Sequence, residues 1–160
     1  MSNSQLSQKE IHPRTGLGQL KFGFTRDQVQ AIMGEPDEVD QHEDGEGNSA
    51  EAWHYDELEL SVSFEEEFDW KLVTIAVSSP DYTLNGKKVI GLNRLELIQV
   101  LNKMGITELL QEDWSSVDNP DHHLVMAEED WVNFWLDDGV LTEIQWSPHF
   151  NDEEEVEWPA

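Results

Sequence analysis

The chain has 160 residues, with 35 Asp and Glu against 9 Lys and Arg, and the resulting formal net charge of −26 argues against nucleic-acid phosphates and anionic membrane surfaces as direct ligands. It contains no cysteine, which removes disulfides, thiolate nucleophiles and cysteine-based zinc or iron–sulfur centres. Hydrophobic residues make up 38% of it, including 7 Trp and 6 Phe, enough apolar surface for one packed domain or two half-sized units.

The opening Met1-Ser2-Asn3-Ser4-Gln5 is polar, and no apolar run has the length of a signal core or a membrane span, so the cytoplasm is the expected location. Residues 1–15 show no sustained periodicity and are expected to be peripheral. Gly16-Leu17-Gly18 precedes a strand-like stretch instead of following one, the wrong context for a phosphate loop. Thr25-x-x-Gln28 then predicts a capping box, with Val29, Ile32 and Met33 forming the apolar stripe of a helix that ends at Gly34 and Pro36. Asp40, His42, Asp44, Gly45 and Glu51 fall at positions 1, 3, 5, 6 and 12 of an EF-hand-like loop. His42 stands where an oxygen ligand is wanted, Gly47 replaces the apolar anchor, and Pro36 lies where an entering helix should run, so a solvated acidic loop is expected and no calcium site. Leu58, Leu60, Val62 and Phe64 alternate with Glu59, Ser61 and Ser63, and Leu72 to Val77 is a β-branched run; both read as strands.

Helix-start chemistry returns at Asn93-x-x-Glu96, followed by Leu97, Val100, Leu101 and Met104, with Gly105 placed to end the helix in a left-handed conformation. Asp118, Asp121, His122 and His123 invite a metal or general-base reading, but adjacent strand residues point to opposite faces, so the histidines are expected to be ordinary. Val132, Phe134 and Leu136 alternate with Trp131, Asn133 and Trp135, and Asp138-Gly139 predicts a hairpin turn into Val140–Trp146. Phe22-Gly23-Phe24-Thr25-Arg26 and Ile90-Gly91-Leu92-Asn93-Arg94 align at a separation of 68 residues, as do the helix stripes. The expected fold is therefore α+β: two tandem units, residues 16–80 and 81–150, each a short helical segment packed on an antiparallel β-meander, followed by an acidic tail over 151–160.

Gly23-Phe24-Thr25-Arg26-Asp27-Gln28-Val29, then Gly34-Glu35-Pro36, then Trp53-His54-Tyr55 ahead of a strand, resembles the small helix–sheet repeat of β-lactamase inhibitory protein and of the small outer-membrane assembly lipoproteins. The match covers residues 16–79 well and 82–147 less well, because the second copy lacks the Gly-x-Pro end. The resemblance implies a tandem-repeat binding scaffold with no catalytic residues, and the chain is also similar to the acidic immunity proteins that accompany bacterial toxins. A lipoprotein role does not fit a chain without a cysteine to lipidate.

No Walker loop, nucleophile elbow or His-Glu-x-x-His motif occurs, and carboxylate pairs are too common here to mark acid–base catalysis, so no enzyme, cofactor or metal is expected. Basic residues are missing from Glu35 to Asp69 and after Lys103, which concentrates negative potential on the expected sheet side. Trp131 and Trp135, with Asn133, are expected to share one strand face as aromatic anchors; Glu65, Glu66, Glu67, Asp137 and Asp138 are expected to form an acidic rim. The expected function is an inhibitor of immunity-protein type that masks a basic protein such as a nuclease toxin. A structural or regulatory interaction module is the alternative, and a metal-dependent enzyme ranks third.

Overall fold

The computed structural model describes residues 9–43, 47–118, 120–128, 131–151, 153 and 155–158. Three short strands, β1 (Glu10–His12), β2 (Gly16–Leu17) and β3 (Leu20–Lys21), lead into helix α1 (Arg26–Met33). Strands β4 (Glu38–Glu43), β5 (Ser49–Tyr55), β6 (Leu60–Glu65) and β7 (Lys71–Val77) follow, with a 3-10 turn at Glu66–Phe68. The second half contains β8 (Thr83–Leu84), β9 (Lys87–Lys88), helix α2 (Arg94–Lys103), and strands β10 (Leu109–Asp113), β11 (His122–Ala127), β12 (Val132–Asp137) and β13 (Val140–Trp146). A hairpin of β14 (His149–Phe150) and β15 (Val156–Glu157) ends the described chain.

Both helices start where their caps dictate. Thr25 Oγ1 accepts the Gln28 amide at 3.2 Å while Gln28 Oε1 accepts the Thr25 amide at 2.8 Å. Asn93 and Glu96 repeat the exchange at 2.8 and 3.1 Å. These reciprocal bonds satisfy amide donors that an uncapped helix would leave unpaired. Helix α2 ends as its glycine demands: Gly105, at φ 88°, lets the Ile106 amide return to the Leu101 carbonyl at 2.9 Å. Val29 of α1 and Leu97 and Leu101 of α2 are fully buried, whereas Ile32, expected in the stripe of α1, is 36% exposed.

The fold is α+β, but the sheets are not divided as expected. β4 to β7 form one antiparallel meander and β10 to β13 another, and the two merge into an eight-stranded sheet of order β10-β11-β12-β13-β7-β6-β5-β4. The junction pairs Val77 with Ile144, Ala76 with Gln145 and Ile75 with Trp146. Merging gives the inner edges of both meanders hydrogen-bonding partners that separate units would leave exposed. A second, five-stranded sheet of order β3-β2-β1-β8-β9 mixes strands from both halves through the parallel pair β1–β8.

Strict alternation on β6 and β12 sends Leu60, Val62 and Phe64, and Val132, Phe134 and Leu136, to one face of the large sheet. There they join one hydrophobic cluster with Ile11 and Leu20 of the small sheet, Val29 and Leu97 of the helices, and Trp146. The Trp146 indole donates to the Gly16 carbonyl at 3.1 Å and ties the two sheets together. Of the segment 1–15, expected to be peripheral, the described residues 9–15 include β1, the central strand of the small sheet, where Ile11 is 1% exposed. Within the stretch 151–160, β15 pairs with β14, and Trp158 meets Phe68 edge-on at 6.4 Å. Asp40 and His42 lie on β4 and Glu51 on the paired β5, so the EF-hand spacing falls on a β-hairpin; Asp44 and Gly45 lie outside the described residues. No helix among the described residues is long and apolar enough to cross a membrane.

Candidate functional site

The face of the large sheet turned away from the core carries the polar half of each alternation. Ser61 of β6 pairs with Ala76 of β7, and these small side chains form a low floor between taller neighbours. On one side of the floor, His54 of β5 sits opposite Ser61, with Nδ1 2.7 Å from the Ser61 hydroxyl and Nε2 2.8 Å from Asp40 Oδ2. On the other side stands Glu143 of β13. Glu143 lines two hollows on this face, one of about 330 Å³ shared with Glu38, His54, Glu59 and Ser61, and one of about 310 Å³ shared with His122, Trp135, Asp137 and Gln145. Neither hollow is lined by Lys or Arg.

The second hollow has an aromatic wall. His122 stacks on Trp135 with ring centres 5.0 Å apart and planes 9° apart, and Trp114 meets the same indole edge-on at 5.7 Å. His122 Nδ1 lies 2.6 Å from Asp137 Oδ1, the Thr142 hydroxyl donates to Asp137 Oδ2 at 3.1 Å, and the Trp135 indole donates to Gln145 at 3.3 Å. Burial, and then the charge of Asp137, pushes the Glu143 carboxyl above its ordinary value, with His122 acting in the opposite direction. A cationic group placed between Glu143, Asp137 and the Trp135 ring would relieve that repulsion.

Trp135, Asn133 and Asp137 lie together on this outer face of β12, and Asp138 follows in the turn with Gly139. Trp131 is apart from them. It adopts φ 57° just ahead of β12, donates its indole N–H to His149 Nδ1 at 3.0 Å and packs 5.0 Å from Phe150, so it belongs to the contact with β14. Glu65, Glu66 and Glu67 sit at the β6–β7 end. Because β12, β13, β7 and β6 alternate in direction, that end is opposite the one holding Asp137 and Asp138. The carboxylates expected as one rim therefore cap two distant ends of the sheet.

Glu143 and His54 were not singled out as site residues by sequence reasoning, and His122 was weighed as a metal or general-base residue and expected to be ordinary. Glu143 carries a readable signal: Thr142 and Glu143 interrupt the alternation between Leu141 and Ile144, the mark of a β-bulge, and the ladder shifts there opposite Trp135 and Leu136.

At the β6–β7 end a further hollow of about 560 Å³ is lined by Arg26, Glu51 and Trp70. The Arg26 guanidinium lies 4.6 Å above the Trp70 ring and 3.4 Å from Glu51, which also takes the Trp53 indole N–H at 2.6 Å.

No family model matches the chain, and no curated protein matches it. Among solved structures, an extracellular protein containing a SCP domain from Bacillus anthracis str. Ames is similar at 18% identity with a TM-score of 0.49. The similarity covers 86% of this chain and 49% of that one, so this chain spans about half of its length.

Proposed function

We propose that this chain is a non-enzymatic binding protein of the cytoplasm that masks a basic surface of a partner protein, in the manner of an inhibitor or a toxin-immunity protein. One observation carries the reading: the outer sheet face holds adjoining hollows walled by carboxylates, histidines and Trp135, with no Lys or Arg lining them. A surface of this kind attracts cations at long range, and the net charge of −26 extends the attraction. The pairing of Arg26 with Trp70 and Glu51 supports the contact chemistry within the same molecule. Trp135, Asp137 and Glu143 offer the same groups to an incoming arginine or lysine.

We further read the chain as two tandem units, 16–80 and 81–150. Ile75-Ala76-Val77 and Ile144-Gln145-Trp146 are 69 residues apart and pair with each other about a centre at Ala76 and Gln145, as two copies related by a two-fold axis would. The left-handed turns Asp69-Trp70 and Asp138-Gly139 have the same spacing.

The test is kinetic. A partner recovered at low salt is measured against wild type, Glu143→Gln, Asp137→Asn and Trp135→Ala across a salt series. The charge changes should slow association, and added salt should slow it for all variants. Trp135→Ala should act on dissociation and cost about 2 kcal/mol or more. An association rate indifferent to both salt and the carboxylates would refute the reading.

A further inference from the structure

We propose that Glu38, Asp40 and His54 form a binding site for a divalent transition-metal ion, with zinc as the type case, on the outer face of β4 and β5. Glu38 and Asp40 stand two residues apart on β4 and so point to the same face, and the ladder places His54 directly opposite Glu38. One ligand atom from each of the three lies within 4.8 Å of the other two. Around a tetrahedral ion with bonds of about 2.0–2.2 Å, ligand atoms are about 3.4 Å apart, so closing the triangle takes side-chain rotation and no backbone movement.

Ser61 provides an observation outside the triad. Its hydroxyl is 2.7 Å from His54 Nδ1, the position of the outer partner that holds a metal-bound imidazole in one tautomer. In the absence of an ion, Nε2–H can donate to Asp40 Oδ2 at 2.8 Å while the Ser61 hydroxyl donates to Nδ1; an ion would displace the Nε2 proton, and the ring would then donate Nδ1–H to Ser61. The imidazole also sets the class of ion, because a nitrogen donor favours zinc, nickel or copper over calcium and magnesium. The adjoining hollow of about 330 Å³ leaves the fourth position open to water or to a donor atom from another molecule. β4 is an edge strand, and the ion would staple it to β5.

The site stands independently of the basic-partner reading, and its test needs no partner. Chelator-treated full-length protein is titrated with Zn²⁺ by calorimetry in excess Mg²⁺ and physiological salt, which saturate the diffuse attraction of an acidic protein. Co²⁺ is then substituted and its visible absorption recorded. The expected result is one ion per chain, a rise in Tm on binding and a Co²⁺ spectrum with a nitrogen ligand. His54→Ala and Asp40→Asn should weaken binding at least tenfold, and His122→Ala, on the neighbouring hollow, should leave it unchanged. Ser61→Ala, which keeps all three ligands, should weaken it about tenfold. If His54→Ala fails to fold, Glu38→Gln at an exposed position carries the same expectation. No saturable binding, or binding at several equivalents that His54→Ala and Glu38→Gln leave untouched, overturns the proposal.

Discussion

Asp69 and Trp70 both hold left-handed backbone angles, φ 58° and 59°, and a bulky side chain pays about 1–2 kcal/mol for that conformation. The matching turn between β12 and β13 uses Asp138-Gly139, which avoids the cost at its second position. Trp70 offsets part of the strain by stacking on Arg26, an interaction of about 0.5–1 kcal/mol at a partly exposed site. Trp70 is also partly buried against the core, so Trp70→Gly should destabilise the protein despite the relief of strain, and the loss should be larger in wild type than in an Arg26→Ala background. Urea unfolding of the four proteins of that cycle checks this, and an equal loss in both backgrounds would refute it. Glu143 makes a pH prediction. Its raised carboxyl favours folding in the protonated form, so its contribution is complete below the unfolded carboxyl value and is lost as pH rises through the folded value. Glu143→Gln should accordingly raise Tm above that range and reduce the fall in Tm on going from about pH 4 to neutrality. Thermal melts of both proteins across pH read the difference directly. The shared face of Trp135 and Asn133 was legible because alternation fixes it, whereas Asp137, which joins them there, was read as part of a rim with Glu65, Glu66 and Glu67. The place of Trp131 was not legible, because a left-handed residue ahead of β12 departs from the strand's pattern, and sequence gives little warning of that angle in a tryptophan.

At the level of elements, the helices were legible because their starts depend on chemistry within four residues. Thr25→Ala and Asn93→Ala should each cost about 1 kcal/mol in chemical denaturation, and Thr25→Ser should restore most of the loss. The large-sheet strands were legible wherever one face is buried, as on β6 and β12. The small sheet was not, since its strands are two or three residues long and cannot display a period. β1 in particular is set by partners on both sides, one of them β8, far away in sequence. The hairpin of β2 and β3 is equally dependent on tertiary fit: a Cβ on Gly16 would lie 2.0 Å from the Leu20 carbonyl oxygen. Gly16→Ala should therefore destabilise the protein by about 2 kcal/mol or more, whereas Gly34→Ala, which meets nothing within 4 Å, should cost only its backbone strain of about 1–2 kcal/mol. Equal losses in the two melts would show that the close approach at Gly16 is relieved by movement of the turn.

The whole molecule carries a charge of −26, and such self-repulsion weakens the compact state. Raising monovalent salt to physiological strength, where the screening length is about 8 Å, should increase Tm, and calorimetric scans at low and physiological salt test it. That charge was visible in composition, but its arrangement was not, because which carboxylates share an end of the sheet depends on strand order. The paired halves also bear on how the chain reaches its native state. β7 and β13 lie in the middle of the large sheet, yet their partners are separated by 67 residues at Val77 and Ile144 and by 71 at Ile75 and Trp146. Closing so long a loop costs about 2 kcal/mol more than closing a hairpin. The centre of the sheet is thus the slowest part to nucleate, while the outer hairpins can form locally on either side. Val125→Ala, within the β10–β12 meander that forms before that closure, should act mainly by slowing refolding, whereas Ile75→Val, in the pair that closes last, should divide its effect between slower refolding and faster unfolding, as stopped-flow tryptophan fluorescence would record. Until that central pairing closes, each half presents an open strand edge to the same edge of a neighbouring chain, and refolding yield should fall as protein concentration rises.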